Sequence, residues 1–230
     1  MAGFAAVIPA YNAAASVGDV VRRTRAILPE VIVVDDGSTD GTRRTAQKAG
    51  AFVLGHAANL GKGAALRTAF AHVQGRSLDA VVTLDADGQH DPADIPLLLG
   101  AFRETGADLI VGSRERVFAS MSPGRRFGNR FSSSALALFS GLRLSDSQSG
   151  FRLYSLAFLR TLRFRRNAYD AEMELLLRAR AGGFRVESVA LGSVVADGRA
   201  GSHYRPWRDT ARICSCVVGW WMNRLIGRVS

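Results

Sequence analysis

The chemistry most plainly written in this sequence is at Asp85-Ala86-Asp87, which follows the apolar run Val81-Val82-Thr83-Leu84. In an extended turn, side chains two residues apart point the same way, so both carboxylates can reach one divalent cation. Hard oxygen ligands in small number suit Mg2+ or Mn2+ held jointly with phosphate oxygens. An isolated Asp-x-Asp is more often a solvated turn; the strand before this one, with Gln89, His90 and Asp91 after it, argues for a site. A second acidic turn, Asp35-Asp36-Gly37-Ser38-Thr39-Asp40-Gly41-Thr42, joins an apolar strand to a helix. Ser38 or Asp40 can cap that helix, and a strand-end carboxylate can accept from a base N–H or a ribose hydroxyl. Gly55 to Gly63 is not a P-loop, because five residues separate Gly55 from Gly61 and Gly63 follows Lys62. It reads as a glycine-rich entry to a helix over Ala64 to Val73, with Lys62 directed at a phosphate or at solvent.

The elements that must position these residues alternate. Phe4 to Ile8, Val31 to Val34, Ala51 to Leu54, Ala80 to Leu84 and Leu109 to Val111 read as strands, with segments of helical length between them. The pattern predicts successive βαβ units and a mostly parallel, Rossmann-like α/β sheet with helices on both faces. Turns at Tyr11-Asn12, Asp35-Asp36-Gly37, Asp85-Ala86-Asp87-Gly88 and Gly112-Ser113-Arg114 then converge at the carboxyl ends of the strands. Further on, Arg125 to Leu142 has helical spacing, Ser149 to Tyr154 reads as a short strand, Tyr169 to Ala181 as a helix and Phe184 to Val195 as extended. The division expected is a catalytic domain over 1–201 and a basic, tryptophan-containing helical segment over 202–230.

The chain of 230 residues carries a net charge of +10, and of its 30 basic residues only Lys48 and Lys62 are lysines. Such a surface favours anions, whether nucleotide phosphates, lipid headgroups or nucleic acid. The C-terminal segment combines Arg205, Arg208, Arg212, Arg224 and Arg228 with Trp207, Ile213, Val217, Trp220 and Trp221, the composition of an interfacial helix on an anionic leaflet. A helix packed on the domain is the alternative. The apolar run Ile213 to Met222 is too short to span a bilayer. Cys214 and Cys216 are too close to staple a fold, and the N-terminus shows no secretory pattern, so a cytoplasmic protein, peripheral on the inner face of the membrane, is expected.

Val7-Ile8-Pro9-Ala10-Tyr11-Asn12, Asp35-Asp36-Gly37-Ser38, Asn59-Leu60-Gly61-Lys62-Gly63, Asp85-Ala86-Asp87-Gly88-Gln89-His90 and Gly112-Ser113-Arg114 together resemble family 2 glycosyltransferases of the GT-A fold. Asp146-Ser147-Gln148-Ser149-Gly150-Phe151-Arg152 narrows the resemblance to the polyprenyl-phosphate sugar synthases. The resemblance implies a nucleotide-sugar donor, a lipid-phosphate acceptor and inverting transfer assisted by Mg2+ or Mn2+. It implies base and ribose contacts from Pro9, Ala10, Tyr11 and Asp36, and metal and diphosphate contacts from Asp85, Asp87 and Gln89. Arg114 matches a phosphate-contacting arginine, Arg126 and Ser133 lie in the region that follows it, and Arg199 and Ser202 fall near a late basic-and-serine motif. Two departures are Ala13, where a Glu is common, and His203, where a Lys is frequent.

An ionised lipid phosphate needs no general base, whereas a hydroxyl acceptor would need one, from Glu172 or Asp146. The acidic turns speak against a nucleic-acid-binding protein, and no binding module for nucleic acid is present. An inactive sugar-nucleotide scaffold is the remaining alternative.

Overall fold

A computed structural model of the chain describes residues 3–115, 123–168, 170–192 and 206–225. The elements run β1 (Phe4–Ala10), α1 (Val17–Arg25), β2 (Glu30–Asp35), α2 (Thr42–Lys48), β3 (Phe52–Gly55), α3 (Lys62–Val73), β4 (Ala80–Thr83), α4 (Ile95–Thr105) and β5 (Leu109–Ser113). The second half adds α5 (Pro123–Ser140), β6 (Arg152–Ser155), α6 (Leu156–Thr161), α7 (Asp170–Ala181), β7 (Val186–Ala190) and α8 (Pro206–Leu225).

Strands β1, β2 and β4 read as continuous apolar runs because both of their faces are covered. Along β1, Val7 enters one core with α3, α6, α7 and α8, while Ala6 and Ile8 enter a second core with α1 and α4. The described strands form one sheet in the order β3-β2-β1-β4-β6-β5-β7. All pairings are parallel except those of β6, which runs antiparallel to both neighbours, with Arg152 opposite Thr83 of β4 and Val111 of β5. The expected mostly parallel sheet with helices on both faces is thus present. The reversal of β6 returns the chain segment before Arg152 to the edge where β4 and β5 end.

Helix α8 is not a detached tail. Ile213, Cys216, Val217 and Trp220 are buried in the core shared with α3 and α7. Of the apolar residues that suggest an interfacial helix, Ile213, Val217 and Trp220 thus have their surface already used against the protein, the packed-helix alternative. Val218, Trp221 and Met222 stay outside, with the Trp221 ring 5.4 Å from Phe139 of α5. Replacing Ile213 by Ala should cost about 2 to 5 kcal/mol of unfolding free energy in urea titration. Met222→Ala should stay within about 0.5 kcal/mol of wild type, as for an exposed position.

Candidate active site

The ends of β1, β2, β4 and β5 carry Tyr11, Asp36, Asp85 and Arg114 to one edge of the sheet, and the reversed β6 adds residues 146–151 from the other direction. Two hydrogen bonds fix that return: Thr83 Oγ1 donates to the Gly150 carbonyl at 3.0 Å, and the Gly112 N–H to the Phe151 carbonyl at 2.9 Å.

In the acidic turn the two aspartates have different partners. Asp85 Oδ1 lies 2.5 Å from Lys62 Nζ, and the same ammonium is 2.9 Å from Glu172 Oε1 at the start of α7. Burial pushes the Asp85 carboxyl up, but Lys62, helped by Arg114, outweighs it and holds the group below the usual carboxylate range. Asp87 makes no ion pair among the described residues, and its Oδ1 accepts the Gln89 N–H at 3.0 Å. Burial, with the nearby charge of Asp85, pushes the Asp87 carboxyl up to about 6. The His90 imidazole is buried beside this turn, with Nε2 3.8 Å from Asp85 Oδ2; burial lowers its pKa to about 4, so it stands neutral.

Among the described residues no group of three His, Cys, Asp or Glu side chains encloses a metal position. A cation at the turn would therefore take only part of its shell from the chain and the rest from ligand oxygens. Carboxylates at Asp85 and Asp87 and the Gln89 amide are the hard oxygen donors that Mg2+ or Mn2+ accepts together with a diphosphate. The residues fit such an ion, with one restriction: Lys62 occupies Oδ1 of Asp85.

Arg114, expected at a phosphate, is anchored from behind. Its Nε donates to Asp146 Oδ2 at 2.7 Å and its Nη2 to Oδ1 at 3.0 Å, a bidentate fork that fixes the guanidinium plane. Asp146 also accepts from the Arg114 backbone N–H at 3.2 Å and from Asn129 Nδ2 of α5 at 3.0 Å. Burial alone would raise the Asp146 carboxyl; the guanidinium overrides it and holds it low. Fully buried and saturated in this way, Asp146 is no base for a hydroxyl, which corrects one of the sequence expectations. Ser133 of α5 is buried and donates to Ser147 at 3.0 Å, whereas Arg126 is exposed on the same helix.

Further residues expected at the site have the following surroundings. Asp36 is 4% exposed, with Oδ1 2.6 Å from His56 Nδ1 and accepting the Leu60 N–H at 3.0 Å, and Oδ2 accepting the Gly61 N–H at 2.7 Å. It holds the glycine-rich loop. Lys62 faces neither a phosphate nor solvent, but two carboxylates. Pro9 and Ala10 are buried within β1, leaving Tyr11 half-buried beyond them. Asp40, not Ser38, bonds the first N–H of α2, at Thr42; Ser38 instead accepts the Asn12 N–H at 2.9 Å. Arg199, Ser202 and His203 lie outside the described residues.

Residues that the sequence did not single out also shape the site. Arg152, fully buried, donates to the carbonyls of Ser149 at 2.7 Å, Ser147 at 2.8 Å and Glu172 at 2.7 Å. The only signal for it was its place at the end of the Asp146 to Arg152 motif. Nothing in the sequence pointed to His56.

A family model described as glycosyl transferase family 2 matches residues 5–163, and the chain belongs to that family. Among curated relatives, an undecaprenyl-phosphate mannosyltransferase of Micrococcus luteus is 32% identical, over 80% of this chain and 81% of the relative. A polyprenol monophosphomannose synthase of Mycolicibacterium smegmatis is 30% identical, over 80% and 75%. Among solved structures, glucosyl-3-phosphoglycerate synthase of Mycobacterium tuberculosis in complex with Mg2+ and uridine diphosphate superposes with a TM-score of 0.70 at 26% identity, over 99% of this chain and 79% of that one.

The Arg114–Asp146 pair predicts a pH dependence. The native pKa of Asp146 lies below its unfolded value, so the pair's stabilisation is present above about pH 4 and is lost as the pH falls through the lowered native value. Asp146→Asn should therefore lose roughly 3 to 5 kcal/mol in urea unfolding at neutral pH, and the gap to wild type should close as the pH is lowered.

Proposed function

We propose that the chain transfers a sugar, with inversion at the anomeric carbon, from a nucleotide-diphosphate sugar to a polyprenyl phosphate at a membrane surface. The relatives named for undecaprenyl-phosphate and polyprenol products support the acceptor class. The observation that carries the lipid reading is on α5. Phe127, Phe131 and Leu138 are 58%, 52% and 78% exposed, and their spacing puts them on one stripe of the helix. The Phe127 and Phe131 rings stack at 6.0 Å, with exposed Arg126 and Arg130 beside them. Large apolar side chains flanked by arginines suit the boundary between headgroups and acyl chains. No helix among the described residues is long and apolar enough to cross a membrane, so contact through this face is peripheral.

In this reading the acidic turn binds the donor diphosphate, and Arg114, its Nε and one Nη2 N–H held by Asp146, presents its remaining guanidinium N–H groups toward phosphate oxygens. A bound Mg2+ or Mn2+ would supply neutralisation of the leaving diphosphate. The acceptor phosphate arrives ionised and needs no proton removed. The geometry agrees with that economy, since Asp146 is saturated by Arg114 and Glu172 is occupied by Lys62.

Transfer of radiolabelled sugar into organic-extractable lipid tests the function directly. Asp87→Ala should abolish transfer and metal-dependent nucleotide binding while leaving the fold intact. Undiminished metal-dependent binding in that variant would remove the acidic turn from the site. Phe127→Glu with Phe131→Glu should weaken sedimentation with anionic liposomes and lipid transfer, while nucleotide binding is spared. Unchanged sedimentation would detach α5 from the membrane.

A further inference from the structure

Lys62 stands where three segments distant in sequence meet, and the glycine-rich loop is shaped to bring it there. Asp36 grips the loop through the Leu60 and Gly61 N–H groups. Gly61 has φ +97°, and a Cβ on it would lie 2.2 Å from the Asn167 carbonyl oxygen. The next N–H but one, that of Gly63, donates to the same carbonyl at 2.8 Å. Glycine on both sides of Lys62 thus lets the loop press against the segment leading into α7, and the lysine side chain enters the site beneath it.

The ammonium then fills the gap between Asp85 and Glu172. Gly150 closes it from the β6 side: a Cβ there would be 2.6 Å from Asp85 Oδ2, 2.7 Å from Lys62 Nζ and 3.0 Å from Glu172 Oε1. Any side chain at Gly150 would push the three charged groups apart. The far wall is also fixed, because Arg152 holds the Glu172 carbonyl at 2.7 Å. For Lys62 to reach a phosphate it would have to leave two carboxylates in a place with little water.

We propose that Lys62 is a positioning residue, a buried counter-ion that ties the acidic turn to α7, and that Glu172 is the anchor of this cation and takes no proton from an acceptor. The inference rests on the functional reading above in one respect: the object positioned is the metal and diphosphate site at Asp87. By fixing Asp85 in one orientation, the clamp sets where the second carboxylate of the turn can meet a cation.

The test is a double-mutant cycle on the full chain, followed by thermal unfolding and by the loss of free Mn2+ signal in electron paramagnetic resonance with UDP, and separately GDP, present. Lys62→Met strands two neighbouring carboxylates and should lower the unfolding midpoint by roughly 10 °C and weaken Mn2+ binding at least about tenfold. Lys62→Met combined with Glu172→Gln should recover part of both losses, because one stranded charge is gone. Glu172→Gln alone, which still accepts from Lys62, should retain transfer within about tenfold, against the two to four orders of magnitude expected for loss of a base. Gly150→Ala should shift Mn2+ affinity in the direction of Lys62→Met and serves if that variant does not fold. Strictly additive effects would overturn the clamp. So would a Lys62→Met protein of unchanged midpoint that loses nucleotide affinity equally without metal, the signature of a phosphate contact. Unchanged Mn2+ affinity despite a lowered midpoint would make Lys62 structural only and refute positioning. A wild-type chain that binds neither nucleotide with Mn2+ would refute the functional reading and with it the positioning role, while the thermal cycle still decides the ion pairing.

Discussion

Buried charge is the constraint around which this site is organised. Asp85, Asp87, Asp146 and Glu172 gather at one sheet edge with Lys62, Arg114 and Arg152 among them. A charge taken out of water without a partner costs several kcal/mol, so the cations must stand where the carboxylates are, and the surrounding backbone must let them. That requirement accounts for glycines at 61, 63 and 150, where a Cβ would collide with backbone or with the charged groups themselves. Asp87 is the exception. Among the described residues it is the carboxylate of this group that makes no ion pair, and its burial and its neighbour raise it to about 6.

Topology makes the gathering possible. A purely parallel sheet collects only the loops that follow its strands. Inserting β6 antiparallel between β4 and β5 turns a preceding segment toward the same edge, so residues 146–151 reach the crevice from the opposite chain direction. Arg114 at the end of β5 thereby finds Asp146, and Gly150 closes over the end of β4.

Much of this was legible in the sequence. Apolar runs ending in acidic or polar turns gave the parallel strands and their shared edge, because a strand buried on both faces has a recognisable composition and strand ends in such a sheet must converge. Partnerships were harder to read. A lone Lys62 between glycines says nothing of which carboxylate it will meet, since Asp85 and Glu172 come from β4 and α7. Asp36 reads as a ligand because it is an acid at a strand end; that it also grips the loop depends on His56 and on two backbone N–H groups that no composition reveals. In α8, arginine and tryptophan content is the same for a helix lying on lipid and one packed on α5 and α7. Which tryptophan faces inward is decided by the neighbours, and Trp220 does while Trp221 does not.

The near-absence of lysine has a practical consequence. Of the two lysine side chains in the chain, Lys62 is enclosed by its carboxylates and Lys48 is exposed at the end of α2. Amine-directed reagents thus find a single lysine side chain open to them. Helix α2 contributes Ala46 to the core on the α1 side of the sheet, while α5 and α8 contribute Leu136 and Val217 to the other. A fluorophore attached at Lys48 would therefore ride on the face away from the α5 stripe, an optical handle that leaves both the crevice and the apolar face untouched.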